Sequence, residues 1–304
     1  MAATTYLTDT QGTPTDNLKW TWSTWLKRGE LATEGHSAVE NIFTTYVDAS
    51  NFFNIRFNDT DYIDIYNYVS GSSGGRLITN AAYRDVGAWY NIVFVYDSAN
   101  GTPGDRMRLY INGVEETSFS LDTNPSSSQV CTMNADTRVV ELGRRSDTSA
   151  NFTGILAHTH FCDGQAYAAS DFGETDSTSG IWIPKSAPSV TYGNNGFFLK
   201  YSSGALGTDS SGESNDFVVS GTMTTTKDNA MNNFATWNPI SSFYTAGTYT
   251  NANTTWASTG GNYRPINATV GLSTGLWYWE ARQTTHAGTQ QTRIGIQGDP
   301  YIHL

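Results

Sequence analysis

Charge is the first scarcity in this sequence. Charged residues make up 15% of its 304 positions, against about 25% in an average soluble domain. The formal net charge is −11 and the sequence pI is near 4.7. Binding to phosphate backbones or to anionic membranes requires clustered Lys and Arg, and the sequence has no basic stripe. Its one Arg pair, Arg144-Arg145, reads as a solvated strand end. Nucleic acid is therefore not expected as a partner. Cysteine is equally sparse. Cys131 and Cys162 are too far apart in sequence to form a disulfide framework. They read as two small buried hydrophobes, with a single bridge left open. No apolar run approaches the roughly 20 residues of a membrane helix, so no membrane insertion is expected. The opening MAATTYLTDTQG lacks the basic-then-apolar pattern of a secretion signal. A soluble product made without classical secretion is the expectation. No P-loop or H-E-x-x-H motif occurs. These omissions argue against an enzyme.

Ser, Thr, Asn and Gly fill the space that charge leaves, and aromatic residues reach 13%. That composition suits short strands and many turns, with aromatics supplying the core. A chain of this length can bury roughly 75% of its unfolded surface, in one large or two medium domains.

The patterning agrees. Trp20 and Trp22 alternate with Thr21 and Ser23, which is strand period and predicts two buried indoles. Phe53, Ile55 and Phe57 alternate with Asn54, Arg56 and Asn58. After the turn chemistry of Asn58-Asp59-Thr60-Asp61, Ile63 and Ile65 alternate with Tyr62, Asp64, Tyr66 and Tyr68. This is a hairpin. With its isoleucines inward, the outer face presents Arg56, Tyr62, Asp64, Tyr66 and Tyr68, the candidate glycan-binding residues. Aromatic rings pack on the apolar faces of sugars while hydroxyls take hydrogen bonds. The alternative is that a neighbouring loop covers the row.

Trp89 to Tyr96 is apolar on both alternating sets, as a central strand covered on both faces would be. Beyond a loop, Met107, Leu109 and Ile111 face one way, and Arg106, Arg108 and Tyr110 the other. Asn112-Gly113 is a strong hairpin signal, because both turn residues need positive φ. Further strands are expected at Arg138 to Leu142 and Ile155 to Cys162, with one helical turn in ASDFGE. The small polar residues from about 201 to 233 read as a linker. A new β region begins near Phe234 and carries LWYWEARQ and TRIGIQG.

Several motifs taken in order resemble a family of phage virion proteins common in marine phages. They are WTWSTWLKRG, AWYNIVFVYD with RLYINGVE, GILAHTHFCDGQAYAASDFGE, GIWIPK, YGNNGFFLKY and LGTDSSGESNDF. The resemblance covers nearly the whole chain, and the ordered set is more specific than any single motif. It implies an all-β chain: an antiparallel laminin-G-like (concanavalin-A-like) jelly-roll sandwich over 1–200, a linker over 201–233, and the first half of a SPRY-like sandwich over 234–304. NFATWNP, TGLWYWEARQ and RIGIQGDPYI match that opening half. A sandwich with half its strands would leave open edges. The expectation is either truncation of a longer protein, the blander reading, or strands supplied by another chain.

Glycan-cleaving enzymes with the concanavalin-like fold place two Glu in E-x-D-x-x-E on one strand, about 5 Å apart. The nearest match is Asp59-x-Asp61-x-x-Asp64. Here two members fall in a turn and Asp is shorter than Glu, so no catalytic residue is assigned. Carboxylates and turn carbonyls also suit calcium, which laminin-G-like folds sometimes hold, although no spacing here compels it. His158 and His160 have a spacing that could ligate a transition metal; without a matching cluster a structural role is expected and no metal ligand is assigned.

The resemblance thus implies a virion protein carrying a non-catalytic lectin-like module, in a tail fibre or receptor-binding adhesin. A capsid decoration or fibre-anchoring protein and a glycan depolymerase are the alternatives. The implied partners are other virion proteins and a host-surface glycan. The protein would be made in the host cytoplasm and sit on the tail or capsid surface. Phage fibres and decorations are usually trimers, so a homo-oligomer is implied, although no heptads or collagen repeats appear.

Overall fold

The computed structural model describes residues 5–32, 39–148, 150–241, 247–258, 266–285 and 292–296. Strand β1 (Tyr6–Thr10) leads to β2 (Lys19–Arg28), where the Trp-rich alternation sits. Four consecutive strands follow: β3 (Glu40–Asp48), β4 (Asn51–Phe57), β5 (Tyr62–Val69) and β6 (Ser72–Ala82). Next come β7 (Trp89–Asp97), β8 (Met107–Ile111), β9 (Val114–Glu116) and β10 (Phe119–Thr123). Then β11 (Val139–Leu142), β12 (Gly154–Asp163), β13 (Gly173–Thr175), β14 (Trp182–Pro184), β15 (Phe197–Leu199) and β16 (Val218–Ser220) complete the main body.

These strands form two stacked antiparallel sheets, the jelly-roll sandwich expected. One has eight strands in the order β10-β6-β5-β4-β3-β11-β1-β16; the other has six, β15-β12-β2-β7-β8-β9. The core lies between them. Trp20 and Trp22 of β2 are fully buried. Trp20 stands edge-on to Phe53 of the facing sheet at 5.2 Å, and Trp22 stacks on Phe43 at 5.2 Å. Such pairs add about 0.5–1.5 kcal/mol each beyond the area they bury. Ile63 and Ile65 point into this core, as does the alternate set Ile92, Phe94 and Tyr96 of β7.

The other face of the six-stranded sheet is also covered. Val93, Val95, Tyr110 and Cys162 pack under Ala169 and Phe172, with Trp182 and Tyr192 around them. That explains why β7 reads as apolar on both alternating sets. The helical turn expected in ASDFGE is a 3-10 turn, Ala169–Asp171. Cys131 lies in the main core and Cys162 in this second one, both as free thiols. The covering segment is pinned by Asp163. Its carboxylate accepts hydrogen bonds from the backbone N–H of Thr15, Asp16 and Asn195 and from Asn134 Nδ2.

Two expectations need correction. The stretch 201–233 is not a free linker. Its strand β16 pairs with β1 and closes one edge of the large sheet, and Phe217 is buried against Phe197 at 4.7 Å. Asp209 folds LGTDSSGESNDF on itself by accepting the N–H groups of Phe198, Ser211 and Asn215. Small polar residues here make turns around one carboxylate; they are not a tether. The second correction concerns the C-terminal β region. Among the described residues its strands are the hairpin β17 (Gly247–Thr250) and β18 (Thr255–Ser258), with one isolated bridge between Trp237 and Ala268. LWYWEARQ forms no strand, and Leu276, Trp277 and Tyr278 are exposed. The described part of TRIGIQG, residues 292–296, likewise forms no strand, and the rest of that motif lies outside the described residues. No helix among the described residues is long and apolar enough to cross a membrane.

Candidate functional site

The uncovered face of the eight-stranded sheet carries the candidate residues. Pairing register sets them in rows. Thr44, Asn54, Tyr66 and Arg76 lie side by side on β3, β4, β5 and β6. One step along the strands, Tyr46, Phe52 and Tyr68 form a second row; one step the other way, Arg56 pairs with Asp64. The rings make a triangle: Phe52 to Tyr68 at 5.1 Å, Tyr66 to Tyr68 at 5.4 Å and Phe52 to Tyr66 at 5.5 Å. Two guanidinium groups cap it. Arg76 lies 4.6 Å from the Tyr66 ring centroid and Arg145 lies 4.8 Å from that of Phe52, within the range of cation–π attraction.

Asp64 is the anchor of the charged part. It accepts hydrogen bonds from Nε and Nη2 of Arg56, at 2.9 and 2.7 Å, and from Nε and Nη2 of Arg76, at 2.9 and 2.8 Å. The carboxylate is fully buried, while the Arg56 and Arg76 side chains keep 21% and 28% exposure. Hydrogen bonding to Asp64, opposed by burial, raises the Arg76 pKa above its usual value. Burial foremost raises that of the Tyr66 hydroxyl. Arg76 is thereby held as a cation and Tyr66 as a neutral phenol.

Of the five residues expected, the structure brings together Arg56, Asp64, Tyr66 and Tyr68. Tyr62 stands apart at the start of β5, opposite Ala82, beyond a register shift between Tyr62 and Asp64. Asp64 is corrected in role: its oxygens are buried and taken by two arginines, so it holds those arginines and does not itself present a surface acceptor. Arg144-Arg145 is corrected too. Arg144 lies over the Tyr6 ring at 3.3 Å and bonds Glu141, and Arg145 bonds Asp147 while capping Phe52. Phe52, Asn54, Arg76 and Arg145 were not foreseen as site residues. The alternation through Phe52, Asn54 and Arg56 carried a signal for the first two; Arg76 sits on a Ser- and Gly-rich strand without apolar rhythm.

The near-match to a catalytic carboxylate pattern dissolves in the same geometry. Asp61, in a turn at φ 66°, is buried and paired with Arg28 and Arg84. Asp59 is exposed in that turn. The two histidines are held apart from solvent chemistry. A bulge in β12 between Ala157 and His160 sets both against Phe198, and His160 stacks on that ring at 3.9 Å. Its Nδ1 is 3.0 Å from the Tyr192 hydroxyl. Burial, with Lys200 nearby, lowers the pKa of both imidazoles and keeps them neutral. Among the described residues no group of three or more His, Cys, Asp or Glu side chains is arranged to hold a metal ion.

Residues 2–169, more than half of the chain, match the Laminin_G_3 sequence profile, described as the concanavalin A-like lectin/glucanases superfamily. The chain belongs to this superfamily. No curated protein matches it. Among solved structures, this superfamily member is similar to a heptameric SAP-like pentraxin from Limulus polyphemus. The TM-score is 0.40 and the identity 16%, over 60% of this chain and 86% of that one. It is similar to CBM40 of a Ruminococcus gnavus IT-sialidase at TM-score 0.36 and 11% identity, over 51% of this chain and 80% of that one. The enzymatically active domain of tailspike protein 2 from bacteriophage CBA120 matches at TM-score 0.34 and 13% identity. That match covers 54% of this chain and 24% of that one. The profile ends at residue 169, so β15 and β16, which complete the superfamily sandwich here, come from beyond it.

Proposed function

We propose that the chain is a non-catalytic glycan-binding module of a phage virion protein, acting in a tail fibre or receptor-binding adhesin. The observation that carries the binding role is the face built from Phe52, Tyr66, Tyr68, Arg56 and Arg76. Half-buried rings held by one another supply flat apolar surface at low entropic cost, and the guanidinium edges beside them supply directed donors. Membership of a lectin/glucanase superfamily supports it. The phage assignment rests on the ordered sequence motifs, and so does the reading of 234–304 as the start of a SPRY-like domain. The binding reading is preferred to a depolymerase because Asp61 and Asp64 are both locked in ion pairs, leaving Asp59 without a partner carboxylate for acid–base work.

A glycan array with the purified chain tests the binding role. Hits that fall by about tenfold or more in affinity in Tyr66→Ala, with the thermal midpoint little changed, are expected; such a loss corresponds to about 1.4 kcal/mol. An empty array would sink the role. Immunogold labelling of particles tests the location. Signal on the tail supports an adhesin, and signal confined to the capsid shell would replace it with a decoration protein.

A further inference from the structure

On the same face, two features are left over once the fold is explained. The first is a charge imbalance: Arg56 and Arg76 share the single carboxylate of Asp64, so one positive charge is uncompensated in a chain whose net charge is −11. A guanidinium has five N–H donors. Asp64 takes Nε and Nη2 of each arginine, and the Nη1 groups have no hydrogen-bond partner among the described residues. The carboxylate thus pins both side chains while their remaining donors stay free, on groups that are still part-exposed. The second is Asn54. Its side chain is completely buried, yet neither Oδ1 nor Nδ2 has a partner. Leaving such atoms unpaired costs about 1–3 kcal/mol per group, a cost that a leucine here would avoid. Asn54 is flanked by Tyr66 across the strand pair and by Arg56 two residues on.

We propose that this face is specific for saccharides bearing a carboxylate, with Arg56 and Arg76 receiving the charged group and Asn54 a neighbouring hydroxyl once the flanking Arg56 and Tyr66 side chains part. The proposal rests on the glycan-binding reading and narrows it to acidic sugars. A planar carboxylate matches the planar guanidinium edge, and charge-assisted bonds of this kind are roughly twice as strong as neutral ones. The aromatic triangle then carries the apolar faces of the adjoining rings.

The test uses an array printed with uronic-acid and sialic-acid oligosaccharides, the same oligosaccharides after carboxyl reduction, and sulfated neutral sugars. Hits are followed by calorimetry. The wild-type chain is expected to bind carboxylated forms at least about tenfold tighter than their reduced counterparts, and this comparison needs no variant. Arg76→Gln, which leaves Asp64 paired with Arg56, should lower affinity for the carboxylated forms by a larger factor than for the reduced ones and so shrink that preference. Asn54→Ala should raise the thermal midpoint and lower affinity. Equal binding of acidic and reduced sugars overturns the specificity and leaves the glycan-binding reading standing. Binding of the sulfated forms alone also overturns it. Binding to none of the printed sugars overturns both. An Asn54→Ala chain that binds as tightly as wild type removes Asn54 from the site.

Discussion

Arg28 is asked to serve two carboxylates at once. Its Nη2 lies 2.6 Å from Glu40 and 2.9 Å from Asp61, and all three groups are buried. The two acids fare differently. Burial would raise the Asp61 pKa, but the Ala32 N–H, Arg84 and its share of Arg28 outweigh that and hold it below the usual value. Glu40 has less help. Burial dominates over Arg28 and the Thr153 N–H and pushes its pKa up to about 7. A carboxyl raised in the folded state binds its proton more tightly than the unfolded chain does, so its contribution to stability falls as pH rises from about 4.5 to 7. Over that window the loss is on the order of 3 kcal/mol. The lowered pKa of His160 acts in the opposite sense, because that group loses stability as pH falls below its ordinary value of 6.5. Denaturant midpoints of wild type and Glu40→Gln across pH 5–8 separate the two. The variant should lose less stability than wild type as pH rises, and parallel curves would refute this account of Glu40.

At the scale of elements, the β8–β9 turn shows how far local chemistry reaches. Asn112-Gly113 predicted a hairpin with positive φ at both positions, and the structure has 49° and 83°. What the sequence pattern did not carry is Trp182, whose ring sits so that a Cβ on Gly113 would lie 2.7 Å from it. Gly113→Ala therefore meets strain and a clash together. It should lower stability by about 2 kcal/mol or more, whereas Gly101→Ala, with nothing within 4 Å, should be close to neutral in the same thermal melt. The contrast explains what was legible. β2, β4, β5 and β8 announce themselves through alternation, and β7 through an apolar run on both alternating sets that matches its two covered faces. β6 begins Ser72-Ser73-Gly74-Gly75 and is invisible to that criterion; its pairing with β5 and β10 decides it. The site follows the same division. Tyr66, Tyr68, Arg56 and Asp64 share one strand pair and could be read from their spacing, whereas Arg76 comes from β6 and Arg145 from a loop after β11. Neither the irregular start of β6 nor a loop beyond β11 shows a spacing that points to this face, so Arg76 and Arg145 escaped notice as site residues.

The whole molecule is held at one end by a clasp that ties 228–234 to the sandwich. Lys27, on β2, is 2% exposed. Its Nζ donates to Asp228 Oδ2 at 2.9 Å, to Asn233 Oδ1 at 2.8 Å and to the Phe234 carbonyl at 2.8 Å. Asp228 also accepts from Trp89 Nε1 at 2.9 Å and from the Phe234 N–H. Nearby, Asn253 Nδ2 donates to the Gly29 carbonyl at 2.6 Å. The segment after β16 is thereby bound to the sandwich through the buried pair of Lys27 and Asp228. Removing one member of such a pair strands a buried charge, which typically costs 3–5 kcal/mol, whereas replacing both with apolar groups is often neutral. Asp228→Ala should therefore cost about 3–5 kcal/mol and expose the chain near residue 228 to limited proteolysis. The Lys27→Met, Asp228→Leu pair should recover most of the stability. If the clasp also fixes where the β17–β18 hairpin sits, the double variant will regain its melting temperature while remaining susceptible to cleavage between 221 and 241, since Asn233 and the Phe234 carbonyl would have lost their common donor. A double variant as resistant as wild type would instead assign that attachment to the contact of Asn253 with the Gly29 carbonyl.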